Sequence, residues 1–78
     1  MRKKEERLVV TFHTTSEAIA MEEFCKSNQL PGRMIPVPLQ ISAGCGLAWS
    51  VPALEKESFM DRITEAGLEF DAWGVYVI

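Results

Sequence analysis

The sequence of 78 residues is poor in metal-binding side chains, with two cysteines, Cys25 and Cys45, and one histidine, His13. The cysteines are too few for a disulfide scaffold and lack C-x-x-C spacing, and with a single histidine they do not make a zinc site. We therefore expect no metal and no cofactor. Both cysteines are expected to be free thiols.

Long apolar runs are also missing. No segment approaches the roughly 18 apolar residues of a membrane-spanning helix, and the N-terminus lacks the apolar core of a signal peptide. These absences predict a cytoplasmic protein that has no membrane partner.

Basic residues are scarce in the body of the chain. The net charge is -3, and four of the eight basic residues are Arg2, Lys3, Lys4 and Arg7. Nucleic-acid surfaces depend on clustered Lys and Arg, so the acidic body predicts no nucleic-acid partner. We expect residues 1–7 to be a flexible basic tail and residues 8–78 to be a single domain, because so short a chain cannot support a second core.

The patterns that are present predict four strands and two helices. In order, they are a strand over 8–12, a helix over 15–27, an edge strand over 34–37, a strand over 47–51, a helix over 55–66 and a strand over 70–78. Thr14 and Glu17 predict a capping box for the first helix, and Gly67 a left-handed cap for the second. Gly74 predicts a bulge or a twist point in the last strand.

The order β-α-β-β-α-β is typical of the ferredoxin-like α+β fold. It predicts an antiparallel four-stranded sheet in the order 4-1-3-2, with both helices on one face. We expect the opposite face to be less covered and to carry Trp49, Trp73 and Tyr76, as an exposed aromatic patch or a homodimer interface.

Cys45 stands between two glycines in the loop before the third strand. The topology brings that loop to the end of the sheet where the first strand ends and the first helix begins. The residues expected there are Gly44, Cys45, Gly46, His13, Thr14 and Thr15. A helix N-terminus or a cationic imidazole can lower the pKa of a thiol from its ordinary value of about 8.5, which would activate the sulfur of Cys45.

Plainer interpretations remain open for these residues. Cys45 could be only a small residue in a tight loop, and His13 only a solvated or capping residue. Cys25 lies in the apolar stripe of the first helix and is expected to be a core residue, too far from Cys45 for a disulfide.

Two stretches carry a resemblance to a known family: TFHTTSEAIAMEEF over residues 11–24 and MIPVPLQISAGCGLAWSV over residues 34–51. In their order and spacing they resemble small bacterial domains described as selenium or sulfur carrier protein-like, a family named as of unknown function. The resemblance implies a ferredoxin-like domain in which Cys45 holds a persulfide or a selenium equivalent. It also implies donor and acceptor proteins as partners.

Two other functions compete with the carrier. One is a non-catalytic module that dimerises through a sheet face or edge and binds a small ligand. The other is a thiol redox enzyme, which is disfavoured because no resolving cysteine lies near Cys45. On the carrier hypothesis and on the module hypothesis alike, the protein is a carrier or binding module rather than a turnover enzyme.

Overall fold

The computed structural model describes residues 5–38, 41 and 46–77. Its helices and strands are β1 (Glu6–Thr11), α1 (Thr15–Ser27), β2 (Arg33–Pro36), β3 (Leu47–Pro52), α2 (Lys56–Ala66) and β4 (Ala72–Val77). A short 3-10 turn, Ala53–Glu55, joins β3 to α2. The elements follow one another in the predicted order, and their boundaries shift only within the fraying range of element ends.

The four strands form one antiparallel sheet in the order β2-β3-β1-β4. This is the predicted order read from the other edge, so the ferredoxin-like arrangement is confirmed. Because both neighbours of β1 run antiparallel to it, β1 ends where β3 and β4 begin, with Thr11 opposite Ala48 and Ala72. We call this the upper end of the sheet.

One apolar core lies between the sheet and the helices. It consists of Leu8, Val10, Phe12, Ala18, Met21, Cys25, Trp49, Val51, Phe59 and Ile63. The strand members alternate along β1 and β3, and the helix members recur at three- and four-residue spacing. Both helices therefore cover the same face of the sheet.

The start of α1 is capped by a side chain. Thr14 has an extended backbone, and its hydroxyl oxygen accepts a hydrogen bond from the Glu17 N–H at 3.2 Å. The Glu17 carboxylate accepts from the backbone N–H of His13, at 2.7 Å, instead of from the Thr14 N–H expected of a capping box. The cap is thus as predicted, and its return bond is displaced by one residue.

The end of α2 matches its prediction. Gly67 has a φ of 74°, in the left-handed region, and its N–H donates to the carbonyl of Thr64 at 3.1 Å. Phe59 and Ile63 are the buried residues of this helix, so they hold α2 against the core.

The tryptophans do not lie on the predicted face. Val10, a core residue, is directly opposite Trp49 on one side and Trp73 on the other, and residues directly opposite each other share a face. Both tryptophans are therefore on the helix-covered face, where Trp49 is only 4% exposed. Tyr76 is opposite Arg7 and lies on the other face, as expected. The prediction was wrong for the tryptophans because the register of a strand decides its inward side.

The face without helices is closed at its centre, contrary to the prediction that it is less covered. Val9, Thr11, Ala48 and Ser50 are all buried there. The Arg7 guanidinium donates to the hydroxyl and to the carbonyl of Ser50, so its long side chain lies across this face.

Gly74 is not a bulge, because the β1–β4 ladder passes through the pair Val9 and Gly74 without interruption. A Cβ at Gly74 would lie 2.9 Å from the Cε2 atom of Tyr76. An alanine at this position would require the ring of Tyr76, the end of a flexible side chain, to shift.

Candidate functional site

The predicted site residues that the structure describes gather at the upper end of the sheet. His13 and the N-cap Thr14 follow β1 directly, and Thr15 is the first residue of α1. Gly46 directly precedes β3, which begins at the same end. Gly44 and Cys45 lie outside the described residues.

The loop between β2 and β3 is closed at its base. The backbone N–H of Val37, just after β2, donates to the carbonyl of Gly46 at 3.0 Å. Gly46 has a φ of 77°, and nothing lies within 4 Å of the position that a Cβ would take. The backbone angle, and not crowding, therefore favours glycine at position 46.

His13 is held between two carboxylates from different elements. Its Nδ1 lies 3.2 Å from the Glu17 Oε1 in α1, and its Nε2 lies 3.2 Å from the Asp71 Oδ1 just before β4. A neutral imidazole has one N–H, whereas ionised carboxylates only accept, so both contacts become hydrogen bonds only when the ring is protonated. The His13 side chain thus ties the end of β1 to α1 and to the start of β4.

We call the side chains of His13, Glu17 and Asp71 the His13 clamp. The two carboxylates limit how far a positively charged His13 ring could stabilise a nearby thiolate. Even with a protonated ring, the three side chains of His13, Glu17 and Asp71 carry a net charge of about -1, which repels an anion. The first turn of α1 offers the opposite sign, because its free N–H groups carry the positive end of the helix dipole. Within the described part of the chain, the backbone N–H groups of Thr15 and Ser16 have no hydrogen-bond partner.

Cys25 is a buried core residue, as predicted. It is 2% exposed, and desolvation by burial raises the pKa of its thiol to about 11. About ten residues of helix, at about 1.5 Å each, separate it from the N-terminus of α1. Its thiol is therefore remote from the upper end of the sheet and is protonated at neutral pH.

The pKa of Cys25 makes a prediction for alkylation, in which the thiolate is the reactive form. In a Cys45→Ser variant at pH 8, iodoacetamide should modify folded Cys25 at least about 100-fold more slowly than in the urea-unfolded chain. The rate should rise with pH up to about 11. Because the pKa of Cys25 is raised in the folded state, its contribution to stability is fully present below about pH 8.5 and is lost as the pH rises from there to about 11. Folded and unfolded rates within a few-fold of each other at pH 8 would contradict the burial.

A small cavity lies beside Cys25, between the end of α1 and the strands β2 and β3. Its volume is about 240 Å³, and it is lined by Glu22, Cys25, Lys26, Leu30, Gly32, Arg33, Met34 and Trp49. Of these residues, Cys25 and Trp49 are buried, whereas Lys26 and Arg33 are exposed. The cavity is smaller than the roughly 300 Å³ at which pockets for drug-sized ligands begin. Sequence reasoning did not find it, because α1, β2 and β3 meet there only in the folded chain.

The sequence showed only half of the His13 clamp. Glu17 follows His13 by four residues and could have been paired with it through the helix start, whereas Asp71 is distant in the chain and meets it only through the β1–β4 pairing.

Over residues 5–38, 41 and 46–77, no group of His, Cys, Asp or Glu side chains could hold a metal ion. No helix in the same part of the chain is long and apolar enough to cross a membrane.

Among the comparisons with known proteins, a family model matches this chain. No curated protein and no solved structure matches the chain. The model of the family described as "Putative Se/S carrier protein-like" matches residues 7–73, a span that includes most of β1, both helices and the loop with Cys45. Because this match covers most of the sequence, the chain belongs to the Se/S carrier protein-like family.

Proposed function

We propose that this protein carries a sulfur or selenium atom on Cys45 and hands it to a partner protein. The observation that supports the proposal most is the family match over residues 7–73, which contains Cys45. The burial of Cys25 supports it by elimination, because a thiol with a pKa of about 11 is a poor nucleophile at neutral pH. Cys45 is then the candidate for the thiol that accepts the cargo.

The transfer step is a thiol exchange. The Cys45 thiolate attacks the outer sulfur of a persulfide on the donor protein, forming a new S–S bond as the old one breaks. The donor leaves as its thiolate, and Cys45 becomes a persulfide. Transfer to the acceptor repeats the exchange in the forward direction, so no external oxidant or reductant is consumed. Both partners in this scheme are proteins, a donor and an acceptor.

The upper end of the sheet supports this chemistry through α1. Cys45 is joined by one peptide bond to Gly46, which directly precedes β3 at this end. We infer that Gly44 and Gly46 let the loop approach the first turn of α1, where the N–H groups of Thr15 and Ser16 favour a thiolate or persulfide anion. Thr14 caps that turn.

His13 has a positioning role in this proposal. Its ring lies between Glu17 and Asp71, so in this proposal it holds the start of α1 against the start of β4. Its contribution is to keep the first turn of α1 in place.

Intact-mass analysis tests the carrier function. After incubation with a cysteine desulfurase and cysteine, the wild-type protein should gain about 32 Da per transferred sulfur, and dithiothreitol should remove the gain. Cys25→Ser should load like the wild type, and Cys45→Ser should not load. A missing adduct on the wild type, or equal loading of Cys45→Ser, would reject the proposal.

A second candidate function is a non-catalytic, dimerising interaction module. The observation that favours it is the exposure of apolar side chains on β4, where Trp73 is 46% and Val77 is 56% exposed. Light scattering over a concentration series tests for the dimer, and the mass analysis of Cys45 loading separates the two candidates, because a dimer is compatible with either function. A dimer without any loading of Cys45 would favour this second function.

A further inference from the structure

The two edge strands of the sheet differ in how they are protected. β2 has only four residues, and it carries Arg33 and Pro36, which discourage pairing with another strand. β4 has six residues, Ala72–Val77, with neither a charged residue nor a proline. Alternate residues of β4 turn their N–H and C=O groups away from β1, and no strand of the described chain pairs with them. β4 is therefore an unprotected edge.

The same strand carries a row of exposed apolar side chains. Trp73, Val75 and Val77 lie on the helix-covered side of the sheet, because they are opposite Val10, Leu8 and Glu6 of β1. They are 46%, 40% and 56% exposed, so α2 does not cover them. The Lys56 Nζ lies 4.7 Å from the ring centre of Trp73 and covers part of that ring.

We propose that β4 pairs with β4 of a second copy of this chain, antiparallel and about a two-fold axis, to form a continuous eight-stranded sheet. A two-fold axis through Val75 places Trp73 of each copy opposite Val77 of the other. This register joins the two apolar rows into one and pairs an aromatic with a β-branched side chain. Because Ala72–Val77 has no charged residue, the pairing brings no like charges opposite each other.

The area of the surface sets the expected strength of the dimer. A six-residue strand is about 20 Å long and a sheet layer about 10 Å thick, so the edge and its half-exposed side chains bury a few hundred Å² per copy. A standard stable interface buries about 800 Å² per partner. The dimer should therefore be weak, with a dissociation constant in the upper micromolar range.

Sedimentation velocity on the full chain tests the interface. Wild-type protein should be monomeric at about 5 µM and largely dimeric at about 1 mM. Val75→Lys places like charges opposite each other at the two-fold axis and should remain monomeric throughout. The matched control is Ile19→Lys, which changes a side chain with 47% exposure on α1 and should dimerise like the wild type.

Amide hydrogen exchange on the wild-type protein gives a second readout, which does not depend on a substitution that could itself affect folding. On concentration, the amides of residues 72–77 should exchange at least about 10-fold more slowly, while those of the β2 edge should not change. A monomer at every concentration, a Val75→Lys dimer, or a dimer without added protection in β4 would each overturn the proposal. Because Cys45 takes no part in this interface, failure here leaves the carrier proposal unaffected.

Discussion

Replacement of Gly32 by alanine is expected to lower the free energy of unfolding by about 3 kcal/mol. Gly32 has a φ of 118°, which side chains other than glycine rarely adopt. A Cβ at this position would overlap the indole of Trp49 and lie 2.9 Å from the carbonyl oxygen of Ser50. Trp49 cannot easily move away, because it is packed in the core and its Nε1 donates to the carbonyl of Pro31 at 3.3 Å.

Gly67→Ala is the matched control for this prediction. Gly67 also has a positive φ, of 74°, but nothing lies within 4 Å of the position of its missing Cβ. Only the backbone penalty of about 1 kcal/mol should therefore appear. Urea titrations with an unchanged slope give both losses of stability. Equal losses for the two variants would show that the contact with Trp49 does not matter.

Replacement of Phe59 by alanine is expected to cost about 3–5 kcal/mol. Phe59 is 1% exposed, and together with Ile63 it provides the buried side chains of α2. A chain of 78 residues has a total stability of about 4–12 kcal/mol at typical values per residue. The variant should therefore lose a large part of its stability, because the truncation leaves a cavity where α2 is held to the sheet.

Leu54→Ala is the control for Phe59→Ala. Leu54 is 99% exposed in the turn before α2, so its truncation should change stability by less than about 0.5 kcal/mol. Circular dichroism during urea unfolding measures both variants. If Phe59→Ala cost no more than Leu54→Ala, α2 would have to be held by contacts other than its apolar stripe.

Most local features of the fold could be predicted correctly from the sequence. The Thr14 cap, the left-handed Gly67 and the buried stripe with Cys25 all depend on residues within a few positions of each other in the chain. Such features follow from helix geometry and backbone preferences, which a short segment carries by itself. The order of the elements then left few ways to arrange the sheet.

The candidate site could be predicted only in part. Sequence order was enough to bring His13 and Gly46 to one end of the sheet, because antiparallel neighbours begin where β1 ends. It was not enough to find that Asp71 engages the second nitrogen of His13. That contact adds a link between β1 and the start of β4 that the sequence did not predict, while the role of His13 beside Cys45 stays a prediction.

The amino-acid sequence by itself determined the elements, their caps, the sheet order and the family, because these depend on local patterns and on the order of the patterns along the chain. Only the tertiary structure decided that Trp49 is buried and Trp73 half-exposed, that Gly32 accommodates an indole, and that β4 is an open apolar edge. The physical reason is register: the inward side of a strand and the neighbours of a glycine are set by pairing between distant segments.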